Sequence, residues 1–236
     1  MRGLDTTPGK AARSSENPPV IVIDGPAGAG KSTVAREVAR RMGLPFLDTG
    51  AIYRAITHVM LSKDIPPSDS PELRAALAEF TVSFRDGRVF AGGGDVTEVI
   101  RTPEIDRNVS PYSALPAVRE SLLGIQRAHK RRGLVAEGRD MGTVVFPDAD
   151  VKIFLTASPG ERAARRHAER LAGGGESDYD NILRQVKARD EMDTNRAAAP
   201  LKPAEDAVTL DSTGLSFDAV VSLVMEQVAR VLTPAR

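Results

Sequence analysis

The sequence predicts an α/β domain: a five-stranded parallel sheet flanked by helices, with a small antiparallel β meander inserted. Three observations carry this. Short apolar runs alternate with stretches of helical period. The first run, Val20-Ile21-Val22-Ile23, leads straight into Gly25-Pro26-Ala27-Gly28-Ala29-Gly30-Lys31-Ser32-Thr33. One segment near the middle breaks the alternation with a period of two.

In chain order, Val20–Ile23 is a buried strand, and Val34, Val38, Ala39 and Met42 mark one face of a helix from about Thr33 to Met42. Pro45-Phe46-Leu47 predicts a brief second strand ending at Asp48-Thr49-Gly50, followed by a helix with Ile52, Ala55, Ile56, Val59 and Met60 on one side. Phe80 to Arg85 alternates with period two; Asp86-Gly87 is a hairpin signal, Arg88-Val89-Phe90 the return strand, and Gly92-Gly93-Gly94 a second turn before Val96 and Val99. Gly133–Glu137 and Val151–Leu155 read as buried strands, with helices near 116–131, 159–171 and 178–191. Ala207–Asp211 gives the last strand, and Phe217, Val220, Val221, Val224 and Val228 a closing amphipathic helix. Residues 1–18 read as a disordered tail and 19–236 as one domain, with the insert at about 63–110 and a lid at about 159–178.

Composition removes several classes of function. Lys+Arg and Asp+Glu balance at 32 each, so no global field draws the chain to nucleic acid or an acidic membrane. There is no cysteine, which excludes disulfides, zinc-thiolate sites and thiol nucleophiles and suits a reducing cytoplasm. No apolar run approaches the roughly 18 residues of a membrane span, and no signal-peptide core precedes the domain. Neutral charge and the absence of an apolar surface stripe predict a monomer.

The run from Gly25 to Thr33 has the spacing G-x-x-x-x-G-K-[ST] between a strand and a helix. Its glycines let the backbone turn so that successive N–H groups face phosphate oxygens, and the helix adds its positive dipole end. Lys31 supplies charge for the outer phosphates, and the Ser32 hydroxyl is placed to ligate Mg2+. A bound nucleoside triphosphate follows. No Asn-Lys-x-Asp guanine-reading segment occurs, which excludes a GTPase switch. Arg54, Arg101, Arg119, Arg139, Arg189 and Arg196, all assigned here to loops, offer bidentate forks for further phosphate.

Three motifs then follow the loop: Asp48-Thr49-Gly50-Ala51-Ile52-Tyr53-Arg54, the run Glu137-Gly138-Arg139-Asp140 through Pro147, and Arg189-Asp190-Glu191-Met192-Asp193-Thr194-Asn195-Arg196. In this order they closely resemble bacterial cytidylate kinases, from about Val20 to the last helix. The resemblance implies the P-loop nucleoside monophosphate kinase fold and transfer of the γ-phosphoryl group of ATP to CMP or dCMP in pyrimidine nucleotide metabolism. It also implies roles. Residues 25–33 would hold ATP, with Lys31, Arg139 and Arg189 catalytic. Arg54, Arg139 and Arg196 would clamp the acceptor phosphate. Ser110, Arg119 and Asp140 would read cytosine, and Thr49 would give a hydroxyl contact. Arg189 and Asp193 would meet the sugar, and Arg101 would stand on the rim. Many members have serine where Thr49 stands here.

Cytosine's exocyclic amino group suits the acceptor Asp140, whereas uracil would present a second acceptor, at a cost of about 1–3 kcal/mol. Arg162, Arg165, Arg166 and Arg170, followed by Gly173-Gly174-Gly175, predict a lid that reaches over ATP. Two rival readings stay open. One is a kinase of the same fold for shikimate, gluconate or another monophosphate; the other is a non-catalytic nucleotide-binding module.

Overall fold

A computed structural model describes residues 18–233. The predicted tail lies outside them except for Pro18. β1 (Val20–Asp24) is buried along its whole length, and α1 (Lys31–Met42) leaves the glycine loop two residues earlier than periodicity suggested. β2 (Phe46–Asp48) is followed at once by α2 (Thr49–Ser62), whose N-cap Asp48 accepts from Ala51 N at 2.8 Å. The insert opens with α3 (Pro71–Ala78), which sequence periodicity missed although Ser70 caps it and Pro71 begins it. Then come β3 (Val82–Arg85), β4 (Arg88–Ala91), β5 (Gly94–Asp95) and a 3₁₀ turn at Val99–Arg101. The hairpin turn falls at Asp86-Gly87, both with positive φ. Only Gly92 and Gly93 make the second turn; Gly94 belongs to the third strand, and Val96 and Val99 lie beyond it.

α4 (Pro103–Ala114) is a second helix that sequence reading did not find, and α5 (Pro116–Arg127) follows it. β6 (Leu134–Gly138), a π-helical turn at Met141–Val145 and β7 (Val151–Thr156) return the chain to the sheet. α6 (Pro159–Ala172) and α7 (Tyr179–Asn195) form a hairpin with its own small core of Ala163, Ile182 and Val186. β8 (Val208–Asp211) and α8 (Phe217–Leu232) close the domain.

The main sheet has the order β2-β6-β1-β7-β8 and every pairing in it is parallel. β1 is central, so both of its faces must be apolar, and its side chains divide accordingly. Ile21 and Ile23 pack with Val34, Val38, Val221 and Val224 of α1 and α8. Val20 and Val22 pack with Leu47 of β2 and with Ile52, Ile56 and Leu122 of the opposite helical layer. The carboxyl ends of β1 and β6, paired Asp24 to Gly138, therefore open on the same crevice, the position where α/β sheets bind ligands. The small antiparallel sheet β3-β4-β5 packs through Val89 and Ala91 into the α2 layer.

Candidate active site

The loop between β1 and α1 is shaped by close packing. Gly25 has φ 145°, and a Cβ there would sit 1.9 Å from the Leu155 carbonyl oxygen of β7, so only glycine lets the chain leave the sheet at this point. α1 starts directly at Lys31, and its first turn, with Lys31 and Ser32, borders a cavity of about 180 Å³. The dipole of α1 thus favours an anion there. Lys31 is buried and its Nζ donates to the Pro26 carbonyl at 2.9 Å. Burial, reinforced by Arg139, pushes its pKa below the ordinary lysine range.

Acidic groups from three strand ends meet this loop. Ser32 Oγ donates to Glu137 Oε1 at 2.8 Å, and burial raises the Glu137 carboxyl above its usual range. Asp48 accepts from Arg101 Nη2 at 2.7 Å; although burial opposes its charge, Arg101 holds its pKa low. Asp24 accepts from Met141 N at 2.9 Å and Gly142 N at 2.8 Å, and so caps the π turn. Among the described residues, no group of three or more His, Cys, Asp or Glu could hold a metal by itself. A hydroxyl and a carboxylate side by side, with little other donor capacity, fit a magnesium ion that takes most of its ligands from phosphate and water.

The arginines converge from different elements. Arg54, Arg119 and Arg189 lie on α2, α5 and α7, so they are helical and not loop residues as sequence reading had them. Arg101 is in the 3₁₀ turn, Arg139 follows β6 and Arg196 follows α7. All six line the same cavity. Arg139 Nε donates to Asp193 Oδ2 at 2.9 Å, and Arg196 Nη1 stands 3.9 Å from Asp193 Oδ1. Arg119 is pinned three ways: to the Ser113 carbonyl, to buried Asp140, and over the Tyr53 ring at 5.3 Å. Arg189 Nε and Arg196 Nη2 are buried donors with no hydrogen-bond partner. Burial, reinforced by the facing Arg139, pushes the Arg189 guanidinium down to about 9.

Of the sequence-predicted residues, Thr49, Arg54, Arg101, Arg119, Arg139, Asp140, Arg189, Asp193 and Arg196 all border the cavity with Ala27, Gly28, Lys31 and Ser32. Ser110 does not: it faces an adjoining cavity of about 620 Å³, while Ser113, one turn later, takes the lining position. Asp193 pairs with Arg139 rather than forming a hydrogen bond to Arg189 on its own helix. Thr49 Oγ1 is engaged with the Glu137 carbonyl at 2.6 Å. One lid assignment fails. Arg162 is buried beneath the loop, with Nη1 on the Ala27 carbonyl at 3.0 Å and its fork on Asp190, so it braces the loop and cannot reach over ATP. Arg166, by contrast, borders the cavity. Sequence reading also gave no role to Asp24 and Asp48, the last residues of their strands, or to Glu137, one residue before the end of β6; that position was the available signal.

A glycine loop that cradles phosphate, facing a nest of guanidinium groups, defines a P-loop phosphotransferase with an anionic acceptor. A family model for cytidylate kinase matches residues 21–230. A cytidylate kinase of Carboxydothermus hydrogenoformans is 47% identical over 215 residues, covering 89% of this chain and 97% of that one. Those of Pseudomonas aeruginosa and Mycobacterium leprae are 47% and 46% identical, covering 90% and 89% of this chain and 96% and 95% of theirs. The chain belongs to the cytidylate kinase family, ATP-dependent phosphotransferases acting on CMP and dCMP. Among solved structures, a gluconokinase from Sinorhizobium meliloti 1021 matches with a TM-score of 0.46 and 17% identity, covering 91% of this chain and 94% of that one. A likeness that low does not bear on the choice of acceptor.

Proposed function

We propose that this chain converts CMP or dCMP to CDP or dCDP, with ATP held by residues 25–33 and the acceptor phosphate clamped by Arg54, Arg139 and Arg196. The observation that supports this is convergence: Lys31, Ser32, six buried or half-buried arginines and the deeply buried Asp140 share one cavity. Arg189 Nε and Arg196 Nη2 are buried without a hydrogen-bond partner, each at a cost of about 1–3 kcal/mol. An acceptor phosphate supplies their oxygens.

In this pose Asp140 accepts from the cytosine amino group while Arg119, fixed by Tyr53 and the Ser113 carbonyl, donates to the ring's acceptor edge. Asp193 and Arg189 meet the sugar hydroxyls, and Arg101, tied to Asp48, stands at the rim. Ser32, beside Glu137, would hold Mg2+, which when bound offsets charge between the phosphates of ATP. No general base is needed, because the nucleotide phosphate is already anionic near neutral pH. What the protein supplies is in-line placement and preorganised positive charge from Lys31, Arg139 and Arg189. Arg166 of α6, which borders the cavity, would close over the site and exclude water as a competing acceptor, whereas Arg165 is engaged with Glu161 and Ser212. No helix among the described residues is long and apolar enough to cross a membrane. We place the protein in the cytoplasm, acting as a monomer without nucleic-acid or membrane partners.

A coupled assay over CMP, dCMP, UMP, AMP, gluconate and shikimate tests the reading. CMP and dCMP are expected to turn over fastest, and the reading is lost if a sugar acid outpaces them. Lys31→Ala should keep its circular dichroism spectrum and lose about a thousandfold in kcat.

A further inference from the structure

Asp106 has no part in the reaction just described, yet it occupies an unusual place. It lies on α4 of the insert, at the boundary between the reaction cavity and the adjoining one. Three guanidinium groups from three other elements approach the same atom, its Oδ1. Arg54 Nη2 from α2 donates to it directly. Arg166 Nη2 from α6 and Arg189 Nη1 from α7 each stand 3.9 Å away. Arg54 is steadied from behind by the Ile100 carbonyl, 3.1 Å from Nη1. Burial works against the Asp106 charge, but Arg54 and Arg166 outweigh it and hold the carboxyl below its ordinary range, so it is ionised at neutral pH.

All three arginines also line the reaction cavity, beside Lys31, Arg139 and Arg196. Without an anion among them, such a group of like charges repels itself apart. A carboxylate oxygen with three guanidinium groups around it is the arrangement a phosphate oxygen would have.

We propose that Asp106 is an internal substitute for a substrate phosphate: it gathers Arg54, Arg166 and Arg189 in the free protein and surrenders Arg54 to the phosphate monoester of the acceptor. The inference rests on the assignment of Arg54 to the phosphate clamp. Two effects follow together. The insert and the α6–α7 hairpin stay drawn in and ordered, and every anion entering the site has to compete with a resident negative charge. Asp106 is thus a positioning residue that trades affinity for order.

Calorimetric titration with inorganic phosphate tests this on the full chain and on Asp106→Asn and Asp106→Glu. Asp106→Asn is expected to bind phosphate about tenfold more tightly, since one opposing charge a few ångströms away is gone. Asp106→Glu, which keeps the charge, should stay near the parent. Without phosphate, Asp106→Asn should melt below the parent, and saturating phosphate should close that gap. Phosphate affinity unchanged or weakened in Asp106→Asn, or shifted alike in both variants, would overturn the proposal. Should Asp106→Asn not fold, a crystal structure of the parent with CMP decides. Arg54 turned from Asp106 to the phosphate supports the idea, and an intact Arg54–Asp106 bond beside bound phosphate refutes it. The phosphate titration is independent of which nucleotide is the acceptor; failure of the CMP assignment would show instead as absent transfer by the parent enzyme.

Discussion

Asp140 is 2% exposed and carries base selection in the proposed pose. A carboxylate that deep is tolerable because Arg119 donates to one oxygen and Arg196 stands 3.9 Å from the other. Both partners are themselves part of the site, so a single carboxylate orients the base-reading and the phosphate-binding arginines at once. Replacement by asparagine keeps the shape and the acceptor oxygen but adds an amide donor able to serve uracil. Asp140→Asn should therefore narrow the CMP-to-UMP ratio of kcat/KM by about tenfold, the size expected of one mismatched buried hydrogen bond. An unchanged ratio in steady-state kinetics on both nucleotides would count against the assignment. At this scale the sequence was legible where residue type and motif coincide, as for Lys31, Arg54 and Asp140. It was not legible for Tyr53, whose ring on α2 meets Arg119 of α5 only through the tertiary fold. Nor was the choice between Ser110 and Ser113, which depends on how α4 is rotated about its axis.

Among the elements, the five parallel strands and the meander were readable because period and turn residues agree, as at Val20–Ile23 and Asp86-Gly87. α4 was hidden by its prolines: Pro103 starts it, Pro111 lies inside it and Pro116 begins the next helix. Pro111, inside the helix, reads as a breaker when tertiary support is ignored. The π turn after Asp140 was equally invisible, since it is held from outside by Asp24, which takes the Met141 and Gly142 N–H groups. That contact aims Arg139 and Asp140 into the crevice, and it ties the turn to proton concentration. Burial raises the Asp24 carboxyl from 3.8 to about 6, although the two N–H donors pull the other way. Below pH 3.8 both folded and unfolded forms hold the proton and nothing is lost. Between 3.8 and about 6 the unfolded chain has released it while the folded one keeps it, so rising pH erodes stability there. The erosion levels off above that window at about 3 kcal/mol. Asp24→Asn cannot titrate and should escape it, apart from a constant cost, because its amide nitrogen donates and cannot accept the second of the two N–H groups. Urea unfolding of both proteins across pH 4 to 7 should show the variant gaining on the parent as pH rises; a constant difference would refute the role given to Asp24.

For the molecule as a whole, formal neutrality hides a strong local imbalance. Positive charge from α1, α2, α5, α6 and α7 is collected at the carboxyl edge of one sheet, while other arginines, Arg40, Arg74 and Arg88, are neutralised on outer faces by Glu37, Asp69 and Asp95. Composition could not reveal this, because only the fold decides which arginines face each other. Every residue lining the reaction cavity falls between Ala27 and Arg196. The large exposed apolar side chains, Leu171, Tyr179, Met192, Leu215, Phe217 and Val231, are spread over α6, α7, α8 and a loop rather than gathered on one element. Pro18 and Pro19 pack against the start of β6: Gly133 lies so close to Pro18 that a Cβ would approach it to 2.6 Å, and Leu134 N donates to the Pro19 carbonyl at 3.0 Å. A chain shortened to begin at Pro18 keeps both contacts and the whole cavity. It should retain kcat and the KM values for ATP and CMP to within about twofold, the range of changes remote from a site. Both forms should sediment as single copies, the full chain at 25.2 kDa. A large kinetic loss on shortening would assign residues 1–17 a part in catalysis, and sedimentation at twice the mass would show that a second copy joins the enzyme.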